Sequence, residues 1–302
     1  MTAGDHTSGQ QRRLVGQAAV DHLLGMLDLT VTGDQTFRGD SPRVGLQRVY
    51  GGHVAAQALV AAGRTVDPSR LVHSLHGYFV RPGDPGAPID YHVENIRDGR
   101  SFSVRRCTAS QHGKTIFFMS ASFHRPEEGL DHHAPGPADV PDPETVPRFT
   151  ELLAQDAPRV DDFWAEVPMP IDVRYLSDMG WVQSRQRRAE PFHRAWMRVD
   201  GALPDDPLLH ACLLTYASDL TLLDSVLAVH GEVWGPGGVV GASLDHALWF
   251  HRPFRADEWF LYDCWSPTAS GARGLAAGRM LTRDGRHIAS AVQEGLLRRV
   301  GA

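Results

Sequence analysis

The stretch LVHSLHGYFVRP at 71–82 has a second copy at 242–253, ASLDHALWFHRP, in which Phe79-x-Arg81-Pro82 falls on Phe250-x-Arg252-Pro253. A further pair lies downstream, QHGKTIFFMSASFHR at 111–125 against RDGRHIASAVQEGLLR at 283–298, with one residue inserted near the end. Residues 71 and 242 stand 171 apart, and 111 and 283 stand 172 apart. A spacing that holds so nearly constant through both pairs is the mark of a duplicated domain. The copies differ in chemistry, however. Ala121 aligns with Gln293 and Val72 with Ser243, so one copy is apolar where the other is polar.

Around these stretches, the two halves share a plan. Val20, Leu23, Leu24 and Leu27 recur at helical spacing, which predicts a short amphipathic helix over 18–27. LDLTVTGDQTFRGDS alternates as a strand with a turn at Gly33-Asp34. Gly51-Gly52 leads into an Ala-rich helix stopped by Gly63. Strands are predicted at 71–80, 89–96, 101–110 and 115–124, separated by RPGDPG, RDG and QHG. The region 126–147 holds six prolines, several acids and His132-His133, and reads as a linker. A helix is expected within 148–166, interrupted by Pro158. The second half then repeats the order, with strands at 169–176 and 193–199 and an N-cap and first-turn proline at Asp206-Pro207. The helix LLHACLLTYASDL comes next, and then strands near 241–251, 258–265, 272–281 and 287–298. The expected fold class is α+β, a long helix wrapped by an antiparallel sheet, twice over. The implied domain boundaries are 18–125, a linker at 126–168, and 169–298.

Bulk properties narrow the function. The chain has 302 residues, enough for two domains of ordinary size, and 42% hydrophobic with 22% charged residues suits globular cores. A net charge of −6 argues against nucleic acid as a partner. Cys107, Cys212 and Cys264 are too few and too scattered for a disulfide framework, which points to a reducing compartment. No apolar run reaches the ~18 residues of a membrane span, residues 1–13 lack a signal-peptide core, and the C-terminal RRVGA is no peroxisomal signal. A cytoplasmic protein with no membrane association is expected.

Three polar residues stand out as candidate chemistry. Leu208, Cys212, Thr215/Tyr216 and Asp219 fall on one helical stripe that should face the sheet. A carboxylate there either ends the helix in solvent or lies in a wetted pocket, because burying it unpaired is costly. Aligning the helices on His53 and His210 puts Ala62 opposite Asp219. Ser243 is expected to begin a strand on the same face as Asp245, by period two. Gln293 shares a face with Ala289, Ala291 and Gly295, whose small side chains leave room for a helix or a ligand. Singly, each polar residue reads equally well as solvent-facing; together, they mark one half as a site.

VYGGHVAAQAL, LVHSLHGYFVRPGDPGAPIDYHVENIRDGRSFSVRR, YASDL, SLDHALWFHRPF and ASAVQEG, in this order, resemble the acyl-CoA thioesterase II family, from about residue 20 to 298 and patchily across 126–190. The resemblance implies a double hotdog fold and hydrolysis of acyl-CoA to free acid and CoA without a cofactor. It also implies an aspartate, threonine and glutamine site in the second hotdog. Carried over, these are Asp219 of YASDL, Ser243 in the threonine position, and Gln293 of AVQEG. Serine keeps the hydroxyl but lacks the methyl that stiffens χ1, so its hold on a water is expected to be looser. His53 stands where the family carries glutamine, which bears on the entrance to the site. Exposed sheet edges together with the resemblance imply a homodimer or a dimer of dimers.

These residue types suit the reaction. A thioester carbonyl is already electrophilic and thiolate leaves readily, so an oriented water suffices. Asp219 would accept its proton, and Ser243 and Gln293 would hold its remaining hydrogen bonds. The oxyanion is expected to meet backbone N–H groups where Gly51-Gly52 opens a helix. Direct attack by Asp219 to give an anhydride is the competing route.

Rival chemistries are weaker. His124, Glu127, Glu128, His132 and His133 cluster in a proline-rich linker without the rigid spacing a metal needs. No G-x-S-x-G elbow occurs, and GPGG at 235–238 lacks the Lys-Ser/Thr of a phosphate loop. A hotdog enoyl-CoA hydratase would need a histidine and an acid on one face, whereas adjacent Asp245 and His246 point to opposite faces. An acyl-CoA-binding double hotdog with little turnover is the non-enzymatic alternative.

Overall fold

The computed structural model describes residues 13–42, 48–155, 167–178, 189–235 and 237–300. Positions 156–166 of the helix expected at 148–166 therefore lie outside the described residues.

Helix α1 (Gly16–Leu27) leads into a hairpin of β1 (Thr30–Gly33) and β2 (Thr36–Gly39), turned at Gln35 with φ 53°. Helix α2 (Gly51–Gly63) comes next, and then β3 (Leu71–Phe79), β4 (Ile89–Asp98), β5 (Phe102–Gln111) and β6 (Lys114–His124). The connecting region holds a short 3-10 turn (Pro143–Thr145) and α3 (Phe149–Gln155). The second half builds β7 (Ile171–Tyr175), β8 (His193–Val199), α4 (Pro207–Ser218) and α5 (Asp224–His230). It ends with β9 (Val239–Ser243), β10 (Asp245–Phe250), β11 (Phe260–Ser270), β12 (Arg273–Thr282) and β13 (His287–Arg299). The sequence pattern did not reveal α5, a single short helix after α4.

The strands form one antiparallel sheet in the order β1-β2-β4-β5-β6-β3-β10-β13-β12-β11-β8-β7, with β9 paired to β13. From the β3–β10 seam outward, this order is the same in both directions. The registers repeat too. His76↔Ser120 in the first half is matched by Ala247↔Val292 in the second, and Arg105↔Ala121 by Ala276↔Gln293. These are the 171 and 172 spacings of the sequence copies, carried into hydrogen-bond partners. At the seam, His76 pairs with its own counterpart, Ala247. The α+β double hotdog plan is thus present in the strand order and in the register.

Helices α2 and α4 pack on each other and against the sheet, and a single cluster of buried apolar side chains runs through both halves. The Gly/Ala content of α2 permits this: every residue from Gly52 to Ala62 is buried. A methyl on Gly52 would stand 2.6 Å from the Tyr216 carbonyl oxygen, and one on Gly63 would stand 2.5 Å from Leu208. Close helix approach is therefore written into these two glycines.

One expectation about a strand needs correction. The strand expected over 241–251 is broken at Leu244 into β9 and β10. In β3, the register slips between Val72 and Ser74, around the counterpart position His73. An extra residue in a strand rotates the residues after it by one face. Ser243 consequently does not share a face with Asp245: Ser243 and His246 both turn toward α4, whereas Asp245 accepts from the Glu294 N–H at 2.7 Å.

Candidate active site

Asp206 starts α4, its carboxylate accepting from Leu208 N at 2.9 Å and Leu209 N at 3.3 Å, with Pro207 in the first turn. Twelve helical residues later, Asp219 is the C-cap, with φ −89° and ψ −4°. That end of a helix presents unpaired carbonyls and the negative end of the dipole, so it is a poor place for an anion. The carboxylate is held there by donors from elsewhere. Gln293 Nε2 donates to Oδ1 at 2.6 Å, the Gly52 N–H donates to Oδ2 at 2.7 Å, and Ser243 Oγ donates to Oδ1 at 3.4 Å. The Gly52 donor lies in the first turn of α2, whose positive dipole end offsets the negative end of α4.

The three residues singled out from the sequence thus converge on one carboxylate, at the join of both halves. Gln293 is fully buried beside Ala276 and Ala291, and its amide nitrogen must face Asp219 because a carboxylate only accepts. Ser243 sits at a longer distance, as a serine without a stiffened χ1 would. The expectation for Gly51-Gly52 changes: the Gly52 N–H is bonded to the Asp219 carboxylate and fixes its orientation, so it is not a free donor for an oxyanion. A methyl at Gly51 would stand 2.8 Å from Asp219 Oδ2 and 2.9 Å from the Phe79 ring, so glycine is what lets the helix approach.

Several supporting residues were not legible in the sequence. The last-turn carbonyls of α4 are satisfied by phenols: Tyr50 OH donates to Tyr216 O at 2.7 Å and Tyr262 OH to Ser218 O at 2.9 Å. His246 Nε2 lies 2.7 Å from Ser218 Oγ. Burial pushes the His246 imidazole down to about 4, opposed by the Gln293 amide, so the ring is neutral near pH 7. Asp245 points away, so Asp245 and His246 do not form the acid–histidine pair a hydratase would need. A paired tyrosine or a buried histidine carries no sequence pattern that would have singled it out.

Burial raises the Asp219 carboxyl to about 6, against the pull of its bonds from Gln293, Gly52 and Ser243. Asp224, at the start of α5, is pushed up to about 7 by burial, opposed by the Trp234 indole N–H at 2.6 Å. Both carboxyls line a cavity of about 490 Å³ walled by Tyr50, Phe79, Leu223 and Ser243, with Arg48 and Arg81 at its exposed rim. Gln293 does not line it; it stands behind Asp219. Tyr50 and Leu220 also border a second cavity of about 220 Å³, lined by Leu23, Met26, Phe149 and Ile171. His53 lies in the wall of that second cavity, 1% exposed, rather than at the mouth of the first. Its ring, lowered to about 4 by burial, approaches the Asp40 carbonyl at 3.0 Å.

A double hotdog with a carboxylate held between its halves defines the class of protein. Comparison with known proteins narrows it further. Residues 170–296 match the acyl-CoA thioesterase family model, and residues 37–124 match the acyl-CoA thioesterase N-terminal domain. The chain is 37% identical to acyl-CoA thioesterase 2 of Haemophilus influenzae over 284 residues, covering 92% of this chain and 98% of that one. It is 38% identical to human acyl-coenzyme A thioesterase 8, covering 90% of this chain and 88% of that one. Among solved structures, acyl-CoA thioesterase II TesB2 of Mycobacterium marinum superposes with a TM-score of 0.75 at 40% identity, covering 93% of this chain and 98% of that one. The chain belongs to the acyl-CoA thioesterase family.

Proposed function

We propose that this protein hydrolyses acyl-CoA thioesters to free fatty acid and CoA, with Asp219, Ser243 and Gln293 as its catalytic set. The carrying observation is the Asp219 carboxylate, gripped by Gln293 and the Gly52 N–H on the wall of the larger cavity. Ionised Asp219 takes a proton from water as the water oxygen bonds to the thioester carbonyl carbon. The carbon–sulfur bond then breaks and the proton returns to the departing thiolate, giving acid and thiol. A base raised to about 6 is better matched to neutral pH than an ordinary aspartate, and its two fixed donors hold it on one trajectory. Gln293 acts chiefly by holding the carboxylate, while Ser243, whose bond is longer, adds a hydroxyl at the cavity wall. The smaller apolar cavity beyond Tyr50 and Leu220 suits the acyl chain.

The scaffold half comprises 18–125 and the catalytic half 169–298, joined through 126–168. A cytoplasmic homodimer fits the three free, buried cysteines and the exposed edge strand β1. No helix among the described residues is long and apolar enough to cross a membrane.

Release of free thiol from a panel of acyl-CoAs tests the activity, and an unreactive panel would refute it. Single-turnover hydrolysis in ¹⁸O-water separates the two routes, since label appearing in the Asp219 carboxylate would establish direct attack instead of water activation.

A further inference from the structure

The Phe-x-Arg-Pro ending occurs in both halves, and its two arginines meet different ends. Arg81 donates from Nη1 to the Thr115 carbonyl at 2.7 Å, and Arg252 donates from Nη1 to the His287 carbonyl at 2.7 Å. Thr115 and His287 are themselves repeat counterparts, so this anchoring bond belongs to the duplicated scaffold. The other side of the guanidinium does not obey the symmetry. Arg252 Nη2 pairs with Asp131 and reaches the His132 carbonyl, both in the connecting region, and its side chain is only 15% exposed. Arg81 is exposed and has no carboxylate partner among the described residues. It stands on the rim of the Asp219 cavity together with Arg48, which donates to the Gly241 carbonyl and likewise lacks an acidic partner among the described residues.

Two unpaired guanidinium groups on one rim are conspicuous in a chain of net charge −6, many of whose other arginines sit in ion pairs. Each is anchored by a backbone carbonyl, so less rotamer entropy is lost when an anion binds, and the planar fork matches phosphate oxygens. The larger cavity is therefore polarised, with carboxyls Asp219 and Asp224 inside and cations at the mouth. That pattern draws an anion to the rim and repels it from the interior. We propose that Arg81 and Arg48 form the subsite for the phosphate groups of the CoA portion of the substrate, leaving its neutral arm and thioester to reach Asp219. This rests on reading the chain as an acyl-CoA hydrolase.

The test compares a medium-chain acyl-CoA with the N-acetylcysteamine thioester of the same acid, which has the reacting bond and no phosphate. Arg81→Gln keeps a donor for the Thr115 carbonyl while removing the charge, and is combined with Arg48→Gln. The double variant is expected to raise KM for the acyl-CoA about tenfold, with kcat within about twofold, and to weaken the salt dependence of KM. The N-acetylcysteamine thioester should be unaffected, and Arg252→Gln should leave the KM for acyl-CoA unchanged. Equal effects on both thioesters, or none on either, would overturn the subsite while leaving hydrolysis standing. A wild-type protein that hydrolyses neither thioester would overturn the functional reading beneath it as well.

Discussion

Val72 and Ala121 in the first half fall on the repeat positions of Ser243 and Gln293, and aligning the two helices on His53 and His210 puts Ala62 opposite Asp219. Val72, Ala121 and Ala62 are all buried core residues, at 9%, 1% and 0% exposure. The helix ends differ in the same sense. Gly51 and Gly52 bring backbone close to the Asp219 carboxylate, whereas at the other pole Leu208 fills the space over Gly63 with side chain. The two halves therefore put one scaffold to two purposes. One pole is closed, with packed hydrocarbon and a buried Arg105 already bonded to Thr65 and Asp98; the other holds a carboxylate that burial penalises and three donors partly compensate. Polarity alone does not make the difference, because the first half still contributes the Gly52 N–H, Tyr50, Phe79 and the Arg81 rim to the Asp219 cavity.

The contrast between the poles should collapse most visibly at the carboxylate. Asp219→Asn is expected to lower kcat by ~10²- to 10⁴-fold with the fold retained, and Gln293→Ala to fall in the same range. Steady-state thiol release with circular dichroism checks both, and Asp219→Asn turning over at the parental rate would remove the site assignment.

The inverse change tests the packed pole. Ala121→Gln forces a carboxamide beside Arg105, which is buried and already bonded to Thr65 and Asp98, and should cost about 2–4 kcal/mol of stability, chiefly through overpacking. Denaturant unfolding at constant m-value measures it. A neutral result would mean that the first half retains room for a site.

A smaller effect concerns what the carboxylate costs the fold. Because the Asp219 pKa is raised in the folded state, the native protein binds its proton more tightly than the unfolded chain does. Stability from this group is then fully present below about pH 4 and is lost as pH rises through about 6. Asparagine carries no such penalty, and rotation of the Gln293 amide would give it an acceptor. Asp219→Asn should therefore be more stable than the parent by about 1 kcal/mol at pH 7, allowing for the side chain's partial opening to the cavity. The gap should close toward pH 4. The same titration places the acid limb of kcat/KM near pH 6 for the parent, activity being lost as Asp219 is protonated. An acid limb near pH 4 would place the base in solvent.

The smallest change concerns Ser243. Its Oγ lies 3.4 Å from Asp219 Oδ1, and Ser243→Thr adds the methyl that restricts χ1. A rise in kcat of up to about threefold is expected, whereas a loss would mean that the pocket has closed around serine.

Much of this was legible in the residues. The near-constant spacing of the repeats marked the duplication, and His76↔Ser120 with Ala247↔Val292 carries that spacing into the sheet. The helix start at Asp206-Pro207 was equally readable, because capping chemistry is local, whereas no side chain caps the start at Gly51. Ser243 was misplaced by one face, since the break at Leu244 leaves no mark in an alternating pattern.

Side-chain identity and period, read along the chain, were enough for the duplication, the order of elements in each half, and which half carries a carboxylate, a hydroxyl and a carboxamide. Three things depended on folding: that a backbone N–H from the other half grips Asp219, that burial lifts this carboxyl to about 6, and that Arg252 has a carboxylate partner where Arg81 has none among the described residues. Every glycine has the same N–H and every aspartate the same intrinsic acidity, so such differences arise only from what the fold places around them.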